Sequence, residues 1–141
     1  MGITIGTNRT DLSMGYGSFR NFRIEVSKAF SEDFGESYEF YLNRVADKLF
    51  RIGTTEDEIK ELDREFNDYL KTVNIDDDIV DFLFQSDSAG KISYKTARKI
   101  RDLCRKSDCP YKFGYSDPMS MLEIAEIFDD AVKHRCNVMW A

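Results

Sequence analysis

Apolar side chains recur every three to four residues from Ser18 to Arg135 almost without a break, and only two prolines interrupt the 141-residue chain. Such recurrence places them on one face of an α-helix, which turns once every 3.6 residues. Phe19, Phe22, Val26, Ala29 and Phe30 share the first stripe, with Ser18 as candidate cap and Gly35 as candidate stop. Tyr38, Tyr41, Leu42, Val45 and Leu49 form the second, ending near Gly53. Thr55-x-x-Glu58 reads as a capping box that opens a helix carrying Ile59, Leu62, Phe66, Tyr69, Leu70 and Val73. Asp76-Asp77-Asp78 starts a short helix whose Ile79, Val80, Phe82, Leu83 and Phe84 make it apolar nearly all round, which predicts a central place for it. Ser93 caps the next helix (Thr96, Ala97, Ile100, Leu103, Cys104), and Asp117-Pro118 starts the last (Met121, Ile124, Ala125, Phe128, Ala131, Val132).

The fold class expected from these stripes is all-α, a compact bundle of five or six helices in a single helical domain of residues 1–141. Residues 1–17 are expected to be irregular, and the apolar tail 136–141, with Val138-Met139-Trp140, to pack back on the core. Any strand pairing is expected at the two ends or in the aromatic loop around Tyr111, Phe113 and Tyr115. No basic-then-apolar leader opens the sequence and no segment approaches a membrane span, so the expectation is a soluble, cytoplasmic protein with no membrane partner. Three cysteines, an odd number, suggest reduced thiols.

A net charge of −6 hides an uneven distribution: residues 55–90 carry 12 acidic and 3 basic groups, and residues 91–112 carry 2 and 8. The simplest expectation is that the two segments face each other; the alternative is a free basic face that meets an acidic partner.

Between those segments lies QSDSAGKIS. With Gly90 as the sixth position of a twelve-residue loop, Gln85 is first, Asp87 third, Lys91 seventh, Ile92 the apolar eighth, Ser93 ninth and Thr96 twelfth. Residues 85–96, with the helical stripes on either side, resemble a single EF-hand, the segment as a whole spanning 76–106. The resemblance implies calcium held by Asp87, the Lys91 carbonyl and Ser93. Calcium needs six to eight oxygens, several of them carboxylates. Here Gln85, Ala89 and Thr96 stand where acidic ligands are usual, and Lys91 and Lys95 lie beside the site. The reading is therefore a helix–loop–helix kept for its shape, with Gly90 supplying a positive φ, Ile92 packing inward, and weak calcium binding as the alternative.

Other chemistry is sparse. Cys104, Cys109, His134 and Cys136 are the right atoms for zinc at an unconvincing spacing. His134 is the single histidine, and no phosphate loop or dinucleotide fingerprint is present. No cofactor is expected and the chain is read as non-enzymatic. The candidate partner-binding residues are Lys95, Arg98, Lys99, Arg101, Arg105 and Lys106 on the basic helix, with Tyr111 and Phe113 after it. They suit an acidic protein surface, or a nucleic acid whose phosphates meet the cations of 91–106 while bases stack on the rings of 111–115. Phe40 and Phe50 fall off the main stripe of the second helix and Ile24 off that of the first, so these positions suit the interface of a homo-oligomer or a wider core. The expected function is a small module that binds a macromolecule through a charged helical face.

Overall fold

The computed structural model describes residues 2–141, and the expectation of an all-α fold is corrected by a sheet. Six helices are joined by four strands, in the order β1 (Gly2–Gly6), β2 (Asp11–Gly15), α1 (Tyr16–Phe30), α2 (Glu32–Leu49), α3 (Glu56–Leu70), α4 (Asp77–Phe84), β3 (Gly90–Ile92), α5 (Tyr94–Lys106), α6 (Met121–His134) and β4 (Val138–Trp140). The segment expected to be irregular is a β-hairpin: Ile3 pairs with Met14 and Ile5 with Leu12, while the Thr4 and Ser13 hydroxyls bond on the outer face. Its buried residues alternate with exposed ones, the period of two that a half-buried strand requires.

The tail 136–141 does pack on the core, as a strand. β4 lies between β1 and β3 in a sheet of order β2-β1-β4-β3, every pair antiparallel. Val138 and Trp140 point inward and Met139 outward. The Trp140 ring meets Phe19 at 5.5 Å and Phe82 at 5.6 Å, so the sheet closes over α1 and α4. Phe22 stacks on Phe128 of α6 at 6.2 Å and meets Phe82 and Phe113 edge-on, which joins the helices into one aromatic core.

Several punctuation signals act differently from the sequence reading. Gly15, and not Ser18, caps α1. Gly35 lies inside α2, where a Cβ would sit 2.6 Å from the Lys28 Cα; it allows α1 and α2 to approach. The last helix begins at Ser120 with a reciprocal capping box to Glu123, downstream of Asp117-Pro118. Thr55, Asp76 and Ser93 cap their helices, but Thr55 does so without the reciprocal bond of a capping box, the Glu58 carboxylate turning to Lys48. Gly90 does not have a positive φ. Its role is proximity, because a Cβ there would lie 2.2 Å from the Trp140 ring and 2.6 Å from the Gln85 Oε1. Among the described residues no helix is long and apolar enough to cross a membrane.

Candidate functional site

Half of the candidate cations on α5 are engaged inside the protein. Lys99 reaches Asp76 at 2.8 Å and Asp78 at 2.7 Å, at the start of α4. Arg101 bonds Asp129 of α6 at 2.8 Å, and Arg105 bonds Glu126 at 3.3 Å. Lys133, followed by Arg101, holds the buried Asp129 carboxyl below its usual range. Lys95, Arg98 and Lys106 remain exposed, with no ion pair among the described residues, and Asp102 shares their face of the helix. The expected meeting of the acidic and basic segments is confined to Lys99. The acids of α3 turn instead to α2, through Arg44–Glu65 at 2.7 Å, Lys48–Glu58 at 3.5 Å and the Tyr41 hydroxyl donating to Asp63 at 2.5 Å.

The aromatic loop does not present all of its rings. Phe113 is 5% exposed and bridges to Met119, so its place among partner-binding residues is corrected to the core. Tyr111 is 70% exposed but lines a cleft with Glu25, Glu39 and Lys112, where carboxylates outnumber the one cation and disfavour phosphates.

The loop 85–96 has internal partners at the positions a calcium ion would use. The Gln85 side chain, at the first position, accepts from the Lys91 amide at 3.0 Å and donates to the Lys91 carbonyl at 2.8 Å, as an added strand would. Ser93 caps α5 by accepting from Thr96. Asp87 is exposed at the rim. The cation at this loop is Arg23 of α1. Its guanidinium donates to the carbonyls of Leu83 at 3.2 Å, Gln85 at 2.8 Å and Ser86 at 3.2 Å. It lies 4.2 Å from the Phe19 ring centroid and 5.5 Å from those of Phe82 and Trp140. The Trp140 indole also donates to the Ser86 carbonyl, at 2.9 Å, and the Tyr38 hydroxyl to that of Leu83, at 2.8 Å. An organic cation, three carbonyls and three aromatic faces thus hold the chain from Leu83 to Ser86, where α4 gives way to the loop.

Arg23 is 5% exposed, its Nε has no hydrogen-bond partner, and burial lowers its pKa from the ordinary value. Burial likewise pushes the Tyr38 hydroxyl up to about 12. Both residues line a cleft of about 360 Å³ between α1, α2 and the end of α4, together with Arg20, Phe84 and Asp87. The sequence carried a signal for Arg23: it lies four residues after Phe19 and three before Val26, on the apolar stripe itself.

Among the described residues no three His, Cys, Asp or Glu side chains form a group able to hold a metal. Cys104 is buried in the core, where desolvation raises its thiol pKa. Cys136 accepts from Arg9 at 3.2 Å, and His134 sits 3.4 Å from Asp130.

A second exposed feature closes the α2–α3 hairpin. Phe50 and Ile52 are 89% and 101% exposed, as open as in an unfolded chain, and Leu49 beside them is largely exposed too. Phe40, further back on α2, is also exposed, with the Arg44 guanidinium 5.4 Å over its ring. No family model matches the chain, and no curated protein or solved structure matches it.

Proposed function

We propose that the chain is a small, non-catalytic protein-binding module that engages its partner through the distal end of the α2–α3 hairpin. The observation that carries this is the full exposure of Phe50 and Ile52 at the hairpin's tip. Burial of such a side chain in a contact stabilises by about 1.5–3 kcal/mol, so two of them suffice as anchors for a complex. Exposed Glu56, Asp57 and Glu58 follow the tip at once. They favour a partner with an apolar pocket and a basic rim, and they disfavour an anionic lipid surface. The face of α5 contributes a smaller share through Lys95, Arg98 and Lys106, the three of its candidate cations with no ion pair among the described residues, which suit an acidic patch on the same partner. The loop 85–96 enters this reading as a rigid joint between α4 and α5.

The test compares recovery of a partner from the native host by three forms of the protein. Phe50→Ser with Ile52→Ser leaves the fold intact, because neither side chain belongs to the core. That variant is expected to weaken binding by about tenfold or more, as loss of hot-spot side chains does. Lys95→Glu with Arg98→Glu is expected to change it by a few-fold. Binding that survives the tip substitutions and is abolished by the charge reversal would move the interface to α5. Sedimentation of the free protein adds one arm: a dimer broken by the tip variant would make the partner a second copy of the chain.

A further inference from the structure

The geometry points to a ligand site separate from the hairpin tip: the cleft between α1, α2 and the C-terminal end of α4 binds a small organic carboxylate with an apolar body. At about 360 Å³ it is the size of a small-ligand site. Leu42, Val45 and Phe84 give it apolar walls, and Tyr38 and Tyr41 add ring faces.

The charge in the cleft is unbalanced. Arg20 and Arg23 stand one helical turn apart on α1, and both line it. Arg9, Arg44, Arg101 and Arg105 each pair with a carboxylate on another element, for Arg44 the next helix, whereas among the described residues these two form no ion pair. The Nη atoms of Arg23 are committed to three carbonyls, which carry partial charge and solvate the cation without neutralising it. Its Nε–H is buried and unpartnered. Arg20 gives one bond from Nη2 to the Asn43 side chain, and its Nε and Nη1 have no partner among the described residues. Two guanidiniums beside apolar walls, Arg23 buried and Arg20 half-buried, recognise a carboxylate, because a charge-assisted hydrogen bond gains strength where solvent competes least. Asp87, the one carboxylate lining the cleft, is placed for an ammonium on the same ligand.

Isothermal titration of the full chain at low ionic strength, with phenylacetate, indole-3-acetate and hexanoate as probes, tests this. At least one is expected to bind one-to-one in the micromolar to millimolar range, and the neutral phenylacetamide is expected not to bind. Arg20→Gln, which leaves Arg23 and its carbonyls in place, is expected to weaken the carboxylate by about tenfold or more. Val45→Trp, which fills the cleft from a half-buried helix position, is expected to abolish binding while the unfolding midpoint stays near that of the parent. No saturable binding by any of the three acids would overturn the proposal. So would equal binding of acid and amide, survival of binding in both variants, or inorganic phosphate binding as tightly as the organic acids. L-Phenylalanine separates the sources of the carboxylate. Tighter binding than phenylacetate, with the gain lost in Asp87→Asn, assigns an amino acid; equal or weaker binding assigns a simple acid, and both uphold the site.

Discussion

Replacing Trp140 by alanine is expected to destabilise the protein by about 3–5 kcal/mol, the range for removing a large buried aromatic side chain. The ring is 2% exposed, meets Phe19 and Phe82, and donates its indole N–H to the Ser86 carbonyl. The loss reaches further than one ring, because β4 is a central strand with β1 on one side and β3 on the other. Loosening it exposes two strand edges at once. Urea unfolding followed by circular dichroism measures the change from the midpoint and slope. Met139→Ala, its outward-facing neighbour, is the control and is expected to fall within about 0.5 kcal/mol of the parent. A Trp140→Ala cost no larger than that of Met139→Ala would mean that β4 is not part of the folded core.

Arg23→Met is expected to cost about 2 kcal/mol, through a different mechanism. Methionine fills much of the space of the arginine stem but donates no hydrogen bond. Of the three carbonyls held by Arg23, that of Leu83 keeps the Tyr38 hydroxyl and that of Ser86 keeps the Trp140 indole. The Gln85 carbonyl is left without a donor, and the ring contacts lose their cation. Removing a desolvated charge offsets part of that loss, so the expected figure lies below the sum of the contacts. Arg23→Lys restores charge without the planar fork, and is expected to recover only part of the stability. Hydrogen exchange of the amides from Gln85 to Ile92 gives the local readout: protection is expected to fall there more than in α6. A neutral or stabilising Arg23→Met would show that the loop holds itself.

The helices were legible because all but the short α4 repeat their apolar face over three or more turns, and a helix interior is a long, redundant signal. Phe19–Phe22–Val26, Ile59–Leu62–Phe66 and Ile124–Ala125–Phe128 all lie where the 3.6-residue period puts them. The strands were harder to read because they are short. Ile3, Ile5, Leu12 and Met14 do alternate, but five residues offer only two inward positions, and pairing with Val138 and Trp140 is invisible to a local pattern. Gly90 shows the same limit. Its place in a loop suggested a turn conformation, whereas the constraint comes from an indole 50 residues away in sequence. The uneven charge pattern was assigned to its neighbours only in part: Lys99 meets Asp76 and Asp78, but Arg101 and Arg105 find Asp129 and Glu126 on α6, a packing choice that composition does not encode. Arg23 could have been found, since a cation on an apolar stripe requires an internal partner. The identity of that partner, the carbonyls of residues 83, 85 and 86, required the fold.

The Arg23 guanidinium and the Gln85 amide hold the loop between α4 and α5, and a loop held in this way needs no metal ion. Calorimetric titration of the metal-free chain with calcium, into the millimolar range, tests this most directly. No saturable heat and no change in the unfolding midpoint are expected. A one-to-one binding isotherm that disappears in Asp87→Ala would contradict it.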